Sequence, residues 1–320
     1  MKPKTLVTRW LPADVLARLK TVSDVTMWPE ADQPATRDFL YREIAQVDAV
    51  LSMLTDQMDE TLMSHGDHLR IIANMAVGYD NIDLQAAKQR AIHVTTTPDV
   101  LNETTADLTF ALLLAVARKI PESSEFLRSG QWQSWSPFLL AGQDVYGATL
   151  GLIGMGRIGE GVARRARGFG MKLIYHNRQR KTETEVDLGV SYETLDGVLQ
   201  LSDYVVVLTP LTQETHHLIG ERELQLMKKT AILINVSRGP VVDEVALYRA
   251  LHQGQLYGAG LDVFEQEPIA LSHPLLTLPN VVALPHIGSA SIATRRKMAQ
   301  LAADNIYEVL IGNSPLTPIV

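Results

Sequence analysis

Residues 150–178 read LGLIGMGRIGEGVARRARGFGMKLIYHNR, and they mark an α/β chain with a nucleotide site. An apolar run leads into Gly154, Gly156 and Gly159, a helix-forming stretch follows, and a second apolar run ends at Asn177 and Arg178. Each glycine answers a separate need. Gly154 lets the chain turn sharply out of the strand, Gly156 lets backbone approach a pyrophosphate, and Gly159 lets helix and strand pack closely. The free N–H groups and the positive end of the helix dipole can then hold an anion without a dedicated lysine. A lone glycine triplet is weak evidence, because glycine turns arise by chance. The buried strand before it and the helix after it supply the context that a dinucleotide fingerprint requires.

The end of the second strand bears on which dinucleotide is held. An Asp or Glu there would accept hydrogen bonds from the adenosine ribose and repel a 2′-phosphate. This chain has Asn177 instead, followed by Arg178, Arg180 and Lys181, whose cationic groups can pair with a phosphate. NADP(H) is therefore the expected preference, with NAD(H) as a possible second cofactor; the plainer alternative is a solvated basic turn.

Outward from this segment, the strand and helix alternation extends both ways. Before it, KTLVTRW, VDAVLSML, LRIIANM and IHVTTTP read as strands, with PADVLARLKTV as an early helix. The stretch ETTADLTFALLLAVARKIPESSEFLRSG reads as one long helix opened by Asn102 or a neighbouring threonine and closed by Gly130. After it, YVVVLTP, AILINVS, GAGLDV and VVALPH join TLGLIG and MKLIYHN as six strands of a dinucleotide-binding sheet. A last helix, IATRRKMAQLAADNIYEVLIG, is expected to cross back and pack on the first domain.

Bulk properties exclude several classes. The 320 residues suffice for two domains. A net charge of -7, with 46% hydrophobic and 20% charged residues, offers no broad face for nucleic acid or membrane. The chain has no cysteine, so disulfides, thiolate catalysis and cysteine-bound metal are ruled out, in keeping with a cytoplasmic location. The N-terminus MKPKTLVTRWLPADV lacks the apolar core of a signal peptide. No metal is expected, and the pair His216 and His217 reads as loop structure with no other ligands nearby in sequence.

A nicotinamide cofactor needs a substrate anchor and a group that moves a proton. Three polar segments at strand ends can supply them: NVSRGPVVDE, GLDVFEQEP and PHIGSAS. In open α/β sheets such segments converge outside the carboxyl ends of the strands. Together with GMGRIG and MAVGYDNID, they make the chain resemble the D-isomer-specific 2-hydroxy-acid dehydrogenases, and within them the glyoxylate/hydroxypyruvate reductases. Five motifs recur in order over nearly the whole length.

The resemblance implies two Rossmann- or flavodoxin-like doubly wound lobes with an active-site cleft between them. Residues 1–100 plus 288–320 would bind substrate, and residues 101–287 would bind NAD(P), in a homodimer held largely through the cofactor lobe. It makes Arg238 the substrate anchor, His286 the proton donor and acceptor, and Glu267 the carboxylate that stabilises the charged imidazole. Glu265 is the competing carboxylate; the family pattern favours the one directly before Pro268. The resemblance assigns Leu54, Val77, Gly78, Ser289 and Trp135 to the substrate side, Val77 and Gly78 through backbone N–H groups and Trp135 by reaching across the dimer. It assigns Thr105, Gly154, Met155, Gly156, Arg157, Ile158, Asn177, Arg178, Thr209, Pro210, Thr215, Val236, Ser237, Asp262, His286 and Gly288 to the cofactor, with Asp262 on the nicotinamide amide.

The substrate class expected is small 2-oxo acids. A longer sugar acid such as 2-oxogluconate stays open as an alternative. Phosphoglycerate dehydrogenase is disfavoured by the end at Val320, and formate dehydrogenase by the carboxylate beside the histidine. A dinucleotide-sensing corepressor shares the fold and is the alternative of a different class.

Overall fold

The computed structural model describes residues 2–320, which fall into two compact lobes. The first lobe ends at Leu101 and takes up the chain again from Ala290 to Val320; the second is Asn102–Ser289.

The first lobe holds β1 (Lys4–Val7), β2 (Asp24–Met27), β3 (Ala49–Ser52), β4 (Ile71–Asn74) and β5 (His93–Thr95). They form one parallel sheet in the order β2-β1-β3-β4-β5, the flavodoxin-like arrangement. β3 and β4 are buried along their whole length, as strands covered on both faces must be. β2 has no apolar run in its sequence; it alternates exposed and half-buried residues because it is an edge strand. The early helix is shorter than its apolar pattern suggests and spans Ala17–Val22. The last helix, Ile292–Leu310, packs on β3, β4 and that early helix. Arg18 fastens it by hydrogen bonds of 2.9 Å to Asp304 and 2.8 Å to Glu308. The chain then runs antiparallel beside β5, where Val94 N–H donates to the Val320 carbonyl at 3.0 Å.

The second lobe holds β6 (Thr149–Ile153), β7 (Lys172–His176), β8 (Ser191–Tyr192), β9 (Tyr204–Val207), β10 (Ile232–Asn235), β11 (Gly258–Leu261) and β12 (Val281–Ala283). Their order, β12-β11-β10-β9-β6-β7-β8, reverses direction between β6 and β9, which is where such sheets bind ligands. The sheet has one strand more than its apolar runs indicate: β8 is only two residues long and too short to leave a pattern.

The expected long helix is two. Asn102–Ala117 stops, Lys119 turns left-handed at φ 50°, and Ile120–Arg128 starts anew with Pro121 in its first turn. Proline has no N–H to continue a helix and its ring crowds the turn before it, so the apolar periodicity runs across a break it cannot reveal. Among the described residues no helix is long and apolar enough to cross a membrane.

Candidate active site

The glycine turn after β6 has the tight geometry its spacing requires. Gly154 sits at φ +104°, and a Cβ there would lie 2.8 Å from the Leu208 carbonyl carbon. A Cβ on Gly159 would lie 2.5 Å from the Gly154 oxygen, so helix and strand could not close up on any side chain. Gly156 has open space beside it and caps the helix Arg157–Gly168 without any side-chain hydrogen bond. The uncapped N–H groups of that first turn suit a phosphate. Met155 is buried and Ile158 packs on the core, while Arg157 is exposed at the helix start. At the end of β9 the Thr209 hydroxyl is buried with no partner among the described residues, a polar atom left for a ligand, next to exposed Pro210. Thr215 closes this loop, donating to the Pro210 carbonyl at 2.6 Å.

Asn177 braces the turn. Its Oδ1 accepts from Met155 N–H at 2.7 Å. The basic residues behind it divide. Arg180 forms a two-pronged pair with Glu185, both bonds 2.7 Å, and Lys181 donates to Glu160 at 2.8 Å. Both are ion-paired to carboxylates on neighbouring helices, Arg180 to the helix Thr182–Leu188 and Lys181 to the helix Arg157–Gly168, partners that the sequence did not reveal. Arg178 is exposed, and its charge reaches only as far as helping to hold Glu214 below the usual carboxylate range, after the larger effect of the Thr212 hydroxyl.

The strand-end residues of β10, β11 and β12 come together through backbone. Asn235, at the end of β10, accepts from Ser237 N–H at 3.1 Å and from its hydroxyl at 2.7 Å, and donates to the Arg238 carbonyl at 3.0 Å. This clamp sets where half-buried Arg238 starts, beside buried Val236. Gly239 follows, and a Cβ there would lie 1.8 Å from the Phe264 carbonyl carbon. The arginine turn and the loop after β11 are thus in direct backbone contact. In that loop, Glu267 Oε1 accepts from Phe264 N–H at 3.0 Å and Glu267 Oε2 meets His286 Nδ1 at 2.7 Å. Glu265 lies elsewhere, with His217 Nε2 at 2.8 Å.

His286 itself sits at φ +54°, a strained position for a side-chain-bearing residue. Asp262 supports the strain: its two oxygens accept from Ile287 and Gly288 N–H, each at 2.7 Å. Burial pushes the Asp262 carboxyl up, while those donated bonds and the nearby His286 favour its charged form. Asp262 thus braces the His286 loop through both of its carboxylate oxygens. Thr105, on the helix Asn102–Ala117, borders Gly288. A carboxylate locked to one imidazole nitrogen leaves the other to exchange a proton with a ligand.

Residues 110–288 match the family model for the NAD binding domain of D-isomer specific 2-hydroxyacid dehydrogenases. Over 316 residues the chain is 48% identical to the glyoxylate reductase of Korarchaeum cryptofilum, covering 98% of this chain and 95% of the relative. The chain belongs to the D-isomer-specific 2-hydroxy-acid dehydrogenase family. A crystal structure of a protein from Thermus thermophilus superposes with a TM-score of 0.93 at 44% identity, covering 99% of this chain and 100% of that one. An NADPH-dependent glyoxylate/hydroxypyruvate reductase from Sinorhizobium meliloti, in complex with NADP and malonate, superposes with a TM-score of 0.86 at 37% identity, covering 100% and 97%. The chain is accordingly an NAD(P)-dependent 2-hydroxy-acid dehydrogenase.

Other candidate residues of this dehydrogenase are on other segments. In the first lobe, Asn74 donates to the Gly78 carbonyl at 2.9 Å, and among the described residues nothing accepts from the N–H of Val77 or Gly78. Leu54 is half-buried after β3, and Ser289 half-buried at the end of the second lobe. Trp135 is 78% exposed. Sequence reading missed Asn235 as the clamp of Arg238, although it opens the motif NVSRGP. It also missed the surroundings of His217, where Asp243 and Glu265 bring donor atoms within 4.8 Å. Opposite ring nitrogens face the two carboxylates, Nε2 toward Glu265 and Nδ1 toward Asp243, so one ion could not take up both contacts.

Proposed function

We propose that this dehydrogenase is an NADPH-preferring reductase that converts glyoxylate to glycolate and hydroxypyruvate to D-glycerate. His286 is its acid and base, Glu267 its partner and Arg238 the substrate anchor. The observation that carries the reading is the 2.7 Å contact between His286 Nδ1 and Glu267, on a loop braced by Asp262. With Nδ1 held, Nε2 gives its proton to the carbonyl oxygen during reduction and takes it back in the reverse direction. The nicotinamide, when bound, supplies the hydride. Glu267 stabilises the imidazolium that precedes proton transfer. The planar Arg238 guanidinium takes the carboxylate of the 2-oxo acid through parallel hydrogen bonds. Leu54, Val77, Gly78 and Ser289 are assigned to the same substrate, Val77 and Gly78 through their unengaged N–H groups.

The NADPH preference rests on Asn177, which places no negative charge at the ribose, and on Arg178, which of the three nearby cations is the one that makes no ion pair among the described residues. The Sinorhizobium relative, bound to NADP, supports it. Steady-state kcat/KM for glyoxylate, hydroxypyruvate and 2-oxogluconate with each cofactor tests the whole reading. A ratio favouring NADH, or 2-oxogluconate as the best substrate, would overturn the corresponding part.

A homodimer through the second lobe belongs to the same proposal. The helix Ile120–Arg128 buries no residue, and Trp132, Trp135, Phe138 and Tyr146 stand 55–86% exposed after it. Such an apolar display is what an interface with a second copy covers. Sedimentation at several concentrations checks it.

A further inference from the structure

Three histidines of the second lobe, His217, His273 and His286, meet carboxylates on or against the loop after β11. Only the pair of His286 and Glu267 has been given a role. The other two share a junction. Glu244 Oε1 accepts from Glu265 N–H at 2.9 Å, and Glu265 Oε1 accepts in return from Glu244 N–H at 3.4 Å. Glu244, the first residue of the helix Glu244–His252, is buried, and its other oxygen lies 3.3 Å from His273 Nε2. The loop is thereby fastened to a helix start.

His217 fastens it a second time. Glu265 Oε1 lies 2.8 Å from His217 Nε2, and because a carboxylate only accepts, that nitrogen carries the proton. His217 ends the loop that opens at Thr209, and its own N–H donates to the Pro240 carbonyl at 2.7 Å, two residues beyond Arg238. One residue thus touches the loop after β9, the arginine turn and the loop of Glu267.

The backbone of His217 is left-handed, at φ 51°. Stability does not account for this. The side chains of the pair are 38% and 36% exposed, and an ion pair so open to water contributes little. Asp243 adds little more: its Oδ1 caps the helix by accepting from Ala246 N–H at 2.9 Å, and its Oδ2 stays 3.9 Å from His217 Nδ1. Left-handed strain at a residue with a side chain persists where its surroundings enforce it, and it gathers at functional sites.

We propose that His217 and Glu265 are a positioning pair for the reaction, a role that rests on reading His286 as the acid and Glu267 as its partner. Glu267 Oε1 is engaged by Phe264 N–H at 3.0 Å, so the carboxylate follows residue 264 wherever it moves. Phe264 adjoins Glu265. Releasing Glu265 from His217 leaves that end of the loop to Glu244, and Glu267 Oε2 drifts from His286 Nδ1.

Steady-state kinetics with glyoxylate and NADPH, with thermal melting alongside, test this. His217→Ala and Glu265→Ala should each lower kcat roughly ten- to a hundredfold, the scale of a misplaced catalytic group, with both KM values unchanged. The melting temperature should stay within about 2 °C of wild type. His217→Gln can still donate to Glu265 and should recover most of kcat; His217→Met fills the space without donating and should not. In a Glu267→Ala background, His217→Ala should cost no more than about twofold, since it acts through Glu267.

A raised KM for NADPH at unchanged kcat would make His217 a cofactor-side residue, and an equal loss of kcat with and without Glu267 would place its action elsewhere. Either result overturns the proposal. The comparison of His217→Gln with His217→Met decides the matter if alanine impairs folding. Near-normal turnover in His286→Ala would overturn the acid reading and the positioning role together. Lost turnover in His286→Ala beside wild-type kcat in His217→Ala would overturn the positioning role alone.

Discussion

The two lobes are built alike and differ at their strand ends. Both are parallel sheets with helices around them, one ordered β2-β1-β3-β4-β5 and the other extended to seven strands. In the first lobe the polar residues beyond β3 and β4 bond to one another. Asn81 donates to the Met53 carbonyl at 3.1 Å and the Asp56 carbonyl at 2.9 Å, and accepts from Asn74 at 3.2 Å. Asp56 is buried, its carboxyl pushed up by that burial, and it accepts from Met53 N–H at 2.8 Å. In the second lobe the strand ends carry a glycine turn, a half-buried arginine and a strained histidine on a carboxylate. On the proposed reading, one architecture carries the proton-transfer groups at the strand ends of its second lobe, and in the first a self-bonded polar network beside the unengaged N–H groups of Val77 and Gly78.

That contrast can be broken at four points. His286→Ala is expected to lower kcat by roughly 10²- to 10⁴-fold, about 2.7–5.5 kcal/mol on the barrier, with the melting temperature little changed. Near-normal turnover would remove the second lobe's claim to the chemistry. Asn81→Ala should do the reverse, costing about 1–3 kcal/mol of stability by leaving buried groups unpaired, as urea unfolding would measure. Active enzyme that survives purification should keep its kcat; a specific loss of kcat would mean that the first lobe's network is catalytic.

Asn177→Asp keeps one oxygen for Met155 N–H and offers the other to a ribose. It should move the NADH to NADPH ratio of kcat/KM toward NADH by about tenfold or more, the scale of one charged hydrogen bond. An unmoved ratio would locate cofactor choice elsewhere. Trp135→Ala has the smallest expected effect: a changed KM for hydroxypyruvate with the dimer intact in sedimentation. A monomer would instead assign Trp135 to interface packing.

Much of this was legible in the chain. The glycine spacing determined the turn at Gly154 because steric limits on φ are local and fall on single residues. The apolar runs of β3, β4, β9 and β10 announced buried parallel strands, since burial on both faces leaves no polar position. The motifs around Arg238, Glu267 and His286 named the candidate residues by resemblance.

Tertiary structure alone decided the rest. β2 and β8 are edge strands whose pairing comes from a neighbour and leaves no periodic signature. That Arg180 and Lys181 are held by Glu185 and Glu160, that His217 meets Glu265, and that Asp262 grips the backbone after His286 are all contacts between residues far apart or on different elements. Sequence specifies which groups can ionise or donate. Only the folded chain specifies which partner each one finds, because a hydrogen bond acts over about 3 Å and spacing along the chain does not measure that distance.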